Sequence, residues 1–540
     1  MSTRLPVRLL IAGLIASLAG AMALPSAGAA QEIDRPAVAS NPQQTQAKET
    51  LAQAKALFAG PRSASERRRG SQASGRRDAT MVLRDLARQA DDLPTAGQRA
   101  TAARILARPD DGASGGELGF EPKYVTDDGS SCGAHVCVHW VEDTSDDAVQ
   151  GADNDGDIST VPAWVRTTLA TMETVYAKEV TSLGYRAPLP DGTLGGNGKL
   201  DVFLADLGGD GLYGYCATDD PNPESRTAFG YCVLDNDYSP SQFPAKTPLQ
   251  NLQVTAAHEY FHMVQFAYDW SEDAWFMEGT AAWMEDEVYD GVNDNLAYLV
   301  ESPLTYPYVP LDLWADGLFM PYGNWVFWKF LSESTGPGAT DNPGVVRRVW
   351  TAAEDSTYST QALQRVLVGR GSSFANVFSR FGSWTRDPAR YFSEGRYEKY
   401  PRAPLDKSFT LTRARRTTGG WNAPLDHMTH SFFRFTPGGT LTGTWRLRVY
   451  VNMASITRGS VARVVVHKRS GGVSVWGIRL DSAGNGTRVF GFRRAYVEDI
   501  ELDMVNASTR FGCGQGTNLS CGGVPYDDRL TARFRATAIR

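Results

Sequence analysis

Histidine is scarce in this 540-residue chain, with seven in all, so any close pair of imidazoles stands out. After the first thirty residues no apolar run reaches the roughly 18 residues a membrane-spanning helix needs, which argues against a helical membrane bundle. No CxxC occurs, which argues against a structural zinc site built on paired cysteines. Positive charge is not in excess. The formal net charge of −7 argues against nucleic acid as the main partner. No internal repeat is found, so a solenoid is not expected. What remains is ordinary for a soluble protein, 42% hydrophobic and 21% charged, in a chain long enough for two or three domains. Acidic residues crowd 142–157 and 201–220, and this reads as solvated surface.

The N-terminus carries a basic "MSTRLPVR", an apolar "LLIAGLIASLAGAMAL" and small residues in "PSAGAA". That order predicts a secretory signal peptide over residues 1–30, cut near Ala29 or Ala30, and a secreted, extracellular protein with no membrane association afterwards. Cysteine usage agrees. Six cysteines fall into three close pairs, Cys132 with Cys137, Cys216 with Cys232 and Cys513 with Cys521, and local pairing into disulfides is expected in an oxidising compartment.

Composition divides the rest. Residues 31–75 are rich in Ala, Ser, Gln and Arg and suit an extended segment, with an Arg-rich cleavage region at 67–77. Two helical stretches follow, 79–93 and 95–109, the second ended by Pro109. They close a region, 31–117, that is either a pro-segment or the first layer of the folded protein. Helix and strand signals mix over 118–400, where "KLDVFLADL" (199–207) reads as a buried strand. Over 401–540 "TWRLRVYV" and "VEDIELDMV" alternate apolar and polar residues between Gly-rich turns, as in a small β-sandwich.

The densest signal is "TAAHEYFHMVQFAYD", residues 255–269. Thr247 as N-cap, Pro248 at the first helical position and Gln250 completing a capping box predict a helix start. Four residues of helix turn about 400°, so His258 and His262 project from one face about 6 Å apart, close enough for both to meet one zinc ion. Glu259 reaches the same cavity without being a ligand and can act there as general base. HExxH should arise by chance in roughly one chain of this composition in three hundred. A third ligand is needed. With fifteen residues between, Glu278 follows His262, in "SEDAWFMEGTAAWMEDEVYD". Ser271 is the expected cap of this second helix, with Glu272 and Asp273 at its positive end and Trp275, Ala281, Ala282 and Met284 as its packing face. A carboxylate among such residues is explained by a metal ion and not by solvation.

HExxH followed by "WFMEGTAAWME" resembles the gluzincins, zinc peptidases whose third ligand is a glutamate on a second helix. Glu278-Gly279-Thr280-Ala281 is similar to the Asn-Glu-Gly-Phe-Ala pattern of aminopeptidase-N-like enzymes, with Glu285 matching a further glutamate. The combination more closely resembles a group of secreted bacterial metalloproteases, through "GGNGKLDVFLADLG", "PYGNWVFWKFL" and "VNASTRF", over most of 120–534. The resemblance implies an α+β fold, a zincin-like catalytic domain (118–400) followed by the β-sandwich (401–540). It implies one catalytic zinc on His258, His262 and Glu278, Glu259 as base, and protein or peptide substrates. The gap between the motifs is shorter than in aminopeptidases and thermolysin-like enzymes, and no Gly-x-Met-Glu-Asn motif grips a free α-amine. An endopeptidase, expected to be monomeric, is the better match.

A neutral donor for the oxyanion is also required, and Tyr322 is the candidate, with His427 and His430 behind it. Asp153, Asp155 and Asp157 alternate as in calcium loops. Ile158 and Trp164 stand where an EF-hand needs glycine and an acidic residue, so only a calcium site of another kind stays open. "GSSCG" (129–133) matches G-x-S-x-G without its strand–turn–helix context. Two rival classes remain: a secreted binding or adhesion protein with a structural or degenerate zinc site, and a glycosidase using paired carboxylates, for which no spacing speaks.

Overall fold

The computed structural model describes residues 41–58, 79–111, 128–141, 161–219, 226–315, 317–334, 342–354 and 357–540. The signal peptide, the Arg-rich region 67–77 and Asp153, Asp155 and Asp157 lie outside them. Residues 43–540 form one compact α+β unit.

Three N-terminal helices come first: α1 (Pro42–Leu57), α2 (Thr80–Gln89) and α3 (Ala96–Leu106). Residues 31–40 and 59–75 lie outside the described residues, while over Pro42–Leu57 the extended segment expected for 31–75 is corrected by α1. Its alanine-rich composition hides a helical stripe of Ala47, Leu51, Ala54 and Leu57, all buried, and packing of that stripe holds the helix in place. The sheet that follows has the order β1 (Asp128–Cys132), β2 (Val136–Val141), β3 (Leu200–Ala205), β5 (Tyr231–Asp235), β4 (Gly214–Ala217). Its three central strands are parallel and both edge strands antiparallel. The central strands are buried on both faces, so they read as continuous apolar runs. Helix α4 (Ala163–Tyr176) packs on β2, α5 (Pro248–Asp269) on β4 and β5, and α6 (Ala274–Tyr289) on α5. The first hydrophobic core draws on residues from Ala47 to Ala507, so the N-terminal helices share it with the sheet and its helices.

Over 401–540 two sheets enclose a second core. One has the order β11 (Val473–Ile478), β10 (Ser460–Lys468), β13 (Val497–Asn506), β8 (Thr429–Pro437), β6 (Lys407–Leu411). The other is β12 (Asn485–Gly491), β9 (Arg446–Asn452), β16 (Leu530–Ile539), β7 (Trp421–Leu425), and the short strands β14 (Phe511–Gly512) and β15 (Val524–Pro525) pair with each other. Along β9 burial alternates as the sequence pattern requires. On β13 it does not. Met504, Val505 and Asn506 are all buried, because the helix Phe374–Arg386 covers the outer face of that strand.

All six cysteines form the three expected disulfides. No described helix is long and apolar enough to cross a membrane.

His427 pins the two cores together. Its Nε2 lies 2.8 Å from Asp312 and its Nδ1 2.6 Å from Asp528. Burial opposes its charge, yet the two carboxylates prevail and raise its pKa to about 10. A cation whose pKa rises on folding contributes its full stability below its unfolded pKa near 6.5 and loses it as pH climbs through about 10. The melting temperature is therefore expected to fall between about pH 7 and 10. His427→Gln should flatten that fall and cost about 3–5 kcal/mol at neutral pH, read by calorimetry, because Asp312 is left buried and unmatched.

Candidate metal centre

Helix α5 starts as its sequence requires, with Thr247 as N-cap, Pro248 at the first position and a capping box to Gln250. Every residue from Val254 to Asp269 is buried, so each side chain meets protein whichever way it points. Glycine at Gly214 makes this closeness possible. A Cβ there would come within 2.8 Å of Thr255 Cγ2 and 3.1 Å of Glu259 Cγ. Helix α6 departs from expectation at its start. It begins at Ala274 with Asp273 in the N-cap position, and Ser271 does not cap it. Ser271 stands two residues before the N-cap position, and its hydroxyl donates to Asp269, 2.6 Å away. Glu272 is buried and Asp273 half-buried, and desolvation raises both carboxyls above their usual range.

The two helices bring three predicted ligands together. The rings of His258 and His262 lie 4.9 Å apart. Glu278 Oε2 stands 3.2 Å from His258 Nε2 and 3.9 Å from His262 Nε2, and both His262 and Glu278 are wholly buried. One ligand atom from each residue falls within 4.8 Å of the others.

The surrounding contacts set the chemistry of those atoms. His258 Nδ1 is 2.8 Å from Glu285 Oε1, which also accepts from the Tyr298 hydroxyl. A carboxylate only accepts, so Nδ1 carries the proton. His262 Nδ1 is 2.8 Å from Gln265 Oε1, and Gln265 Nε2 donates to the Met277 carbonyl. The amide is thereby oriented and His262 Nδ1 is also the donor. Both Nε2 atoms then present lone pairs toward Glu278. Two nitrogen lone pairs and a carboxylate converging in a buried space suit a divalent cation, and the donor set, two imidazoles and one oxygen, suits zinc.

Glu259 is buried beside a cavity of about 20 Å³ lined by His258, Tyr213, Glu285, Tyr298 and Tyr322. The Tyr322 ring stacks 5.9 Å from that of His258. One contact of Glu259 comes from far away in sequence: its Oε2 accepts from the Thr80 hydroxyl of α2 at 3.0 Å, and Thr80 Oγ1 accepts from the Cys216 N–H at 2.8 Å. No sequence signal pointed to Thr80. Gln265 had one, its i+3 position from His262.

Other candidates resolve differently. His430 is 3.0 Å from Asp503 and packs on Phe378, and neither it nor His427 lines the cavity. "GSSCG" lies in the β1–β2 hairpin with Cys132 in a disulfide, not at a strand–turn–helix. Two further clusters could in principle hold an ion, yet each already has a cation. Lys329 sits on Asp286 and Glu394, while Arg386 and Arg434 sit on Glu501 beside His467 and Asp499.

No family model and no curated protein matches this chain. Among solved structures, a family GH115 4-O-methyl-alpha-glucuronidase with specificity for decorated arabinogalactans aligns at 8% identity and a TM-score of 0.14. That alignment covers 66% of this chain and 54% of the glucuronidase. A likeness that slight carries no argument about fold or activity.

Proposed function

We propose that this chain is a secreted zinc-dependent endopeptidase of the gluzincin type with a zincin-like catalytic domain. The observation that carries the proposal is the convergence of His258, His262 and Glu278 beside a buried Glu259. Zinc, when bound by those three side chains, supplies a Lewis acid. Glu285 and Gln265 hold the two imidazoles in the tautomer that offers Nε2. Glu259 accepts a proton from the attacking water and returns it to the leaving nitrogen. Tyr322 donates its hydroxyl to the oxyanion as charge develops. The test is zinc content of the purified secreted protein together with cleavage of an unfolded protein substrate. About one zinc per chain and cleavage abolished by a chelator are expected. A metal-free, fully folded and active protein would end the proposal.

One observation favours the rival reading of a binding protein with a structural metal site. A cavity of about 20 Å³ admits a water, whereas ligand pockets are typically about 300–1,000 Å³. Under the peptidase reading, α2 has to withdraw from Glu259 before a polypeptide enters. Placing a site-specific protease sequence within 112–127 and cutting the purified full chain should then raise turnover roughly tenfold or more, as the competent fraction grows. A structural site predicts no turnover before or after the cut.

A further inference from the structure

Charge is divided very unevenly along the chain. Residues 401–540 hold 21 Lys and Arg against nine Asp and Glu, a net charge of +12, so residues 1–400 carry −19. The overall −7 conceals this.

The structure divides the charge again, between the two sheets of the sandwich. In the sheet that meets the helix Phe374–Arg386, carboxylates stand among the cations: Glu501 on β13 pairs with Arg386, Arg402 and Arg434, and Asp503 lies 3.0 Å from His430. The other sheet, β12-β9-β16-β7, contains no Asp or Glu in any strand. Its inward positions, among them Leu447, Val449, Phe534 and Ala536, belong to the core. Its outward positions include Arg446 and Arg448 on β9 and Arg533 and Arg535 on β16, all exposed. Among the described residues no Asp or Glu pairs with any of these four, and Arg446 donates to the Arg540 main-chain oxygen at 3.1 Å.

Register sets their arrangement. Arg535 stands opposite Tyr450 and Arg533 opposite Asn452, while Thr537 faces Arg448 and Ile539 faces Arg446. The four arginine positions therefore form a stepped diagonal across two strands, with Tyr450 following Arg448 on β9 and facing Arg535. At about 6.8 Å per two residues the line is roughly 20 Å long. Arg540 lies at the Arg446 end, packed over the Trp445 ring.

We propose that this arginine line is a docking surface for a linear acidic polysaccharide. Guanidinium forks match carboxylate and sulfate oxygens in pairs, and a half-exposed tyrosine ring offers a face to a sugar. The shape favours a thin polymer over a membrane. The exposed large apolar side chains on the strands of this face are Val489, opposite Arg448, and Tyr450, too few to enter a bilayer, and the −19 on the rest of the chain opposes approach to a broad anionic surface. Recognition here is independent of the metal centre and would hold the protein on an anionic matrix.

The test titrates the full secreted chain with polygalacturonate, neutral dextran, a short DNA duplex and phosphatidylserine vesicles by calorimetry at two salt concentrations. Polygalacturonate is expected to bind and dextran not. Affinity should fall on the order of 50-fold between about 50 and 200 mM salt if all four arginines engage. R446Q/R448Q/R533Q/R535Q, four exposed changes, should keep the wild-type melting curve and lose roughly tenfold or more in affinity. Binding left intact in that variant overturns the proposal, as does no binding of polygalacturonate. Tighter binding to the duplex or to vesicles than to polygalacturonate overturns the choice of partner and assigns the surface to that ligand.

Discussion

Glu259→Gln is expected to leave a folded, zinc-loaded protein that cleaves almost nothing. The substitution keeps the side chain's shape, and its amide oxygen can still accept from the Thr80 hydroxyl that now meets Oε2. The three converging ligands are untouched, so metal content and melting curve should match the wild type. What disappears is a group able to accept the proton of the attacking water. Loss of a general base typically lowers the rate by about 10²–10⁴, or roughly 3–5 kcal/mol of transition-state stabilisation. Turnover of an unfolded substrate, measured at equal zinc loading, reads this directly. A variant that stays fully active would remove Glu259 from the mechanism and with it the peptidase proposal.

Glu278→Ala should fail differently. Its carboxylate is wholly buried and contributes the only oxygen to the converging group. Without it, two imidazoles remain to hold the ion, and zinc affinity should drop by more than about 100-fold, beyond the effect typical of altering an outer-shell partner. Activity goes with the metal, and excess zinc should restore part of it. The measurement is a zinc competition titration alongside turnover. Zinc retained at wild-type affinity would place the third ligand elsewhere and end the gluzincin assignment. Together the two variants separate base from ligand. One keeps metal and loses rate, the other loses both.

The candidate site was legible in part, and the division has a physical cause. His258, Glu259 and His262 lie on one helix whose cap is local, so spacing alone brings them together. Glu278 needed a second helix, and its apolar surroundings announced a carboxylate with a task. Ser271 misled because the helix starts two residues further on, with Asp273 in the N-cap position, a boundary that local residue preferences place only to within a few residues. The helix over Pro42–Leu57 was missed because its stripe is mostly alanine, whose burial depends on a partner surface absent from a local pattern.

The sequence by itself determined what local periodicity and spacing encode. These are the capped helix with its histidine pair, the three short-range disulfides, the buried strand over Leu200–Ala205 and the alternating strands of the sandwich. Only the tertiary structure decided what depends on residues far apart in the chain. It set Thr80 against Glu259 across 179 positions, tied His427 to Asp312 and Asp528, and lined four arginines from two strands on one face. A hydrogen bond or an ion pair depends on the distance between atoms, and that distance follows from packing rather than from separation along the chain.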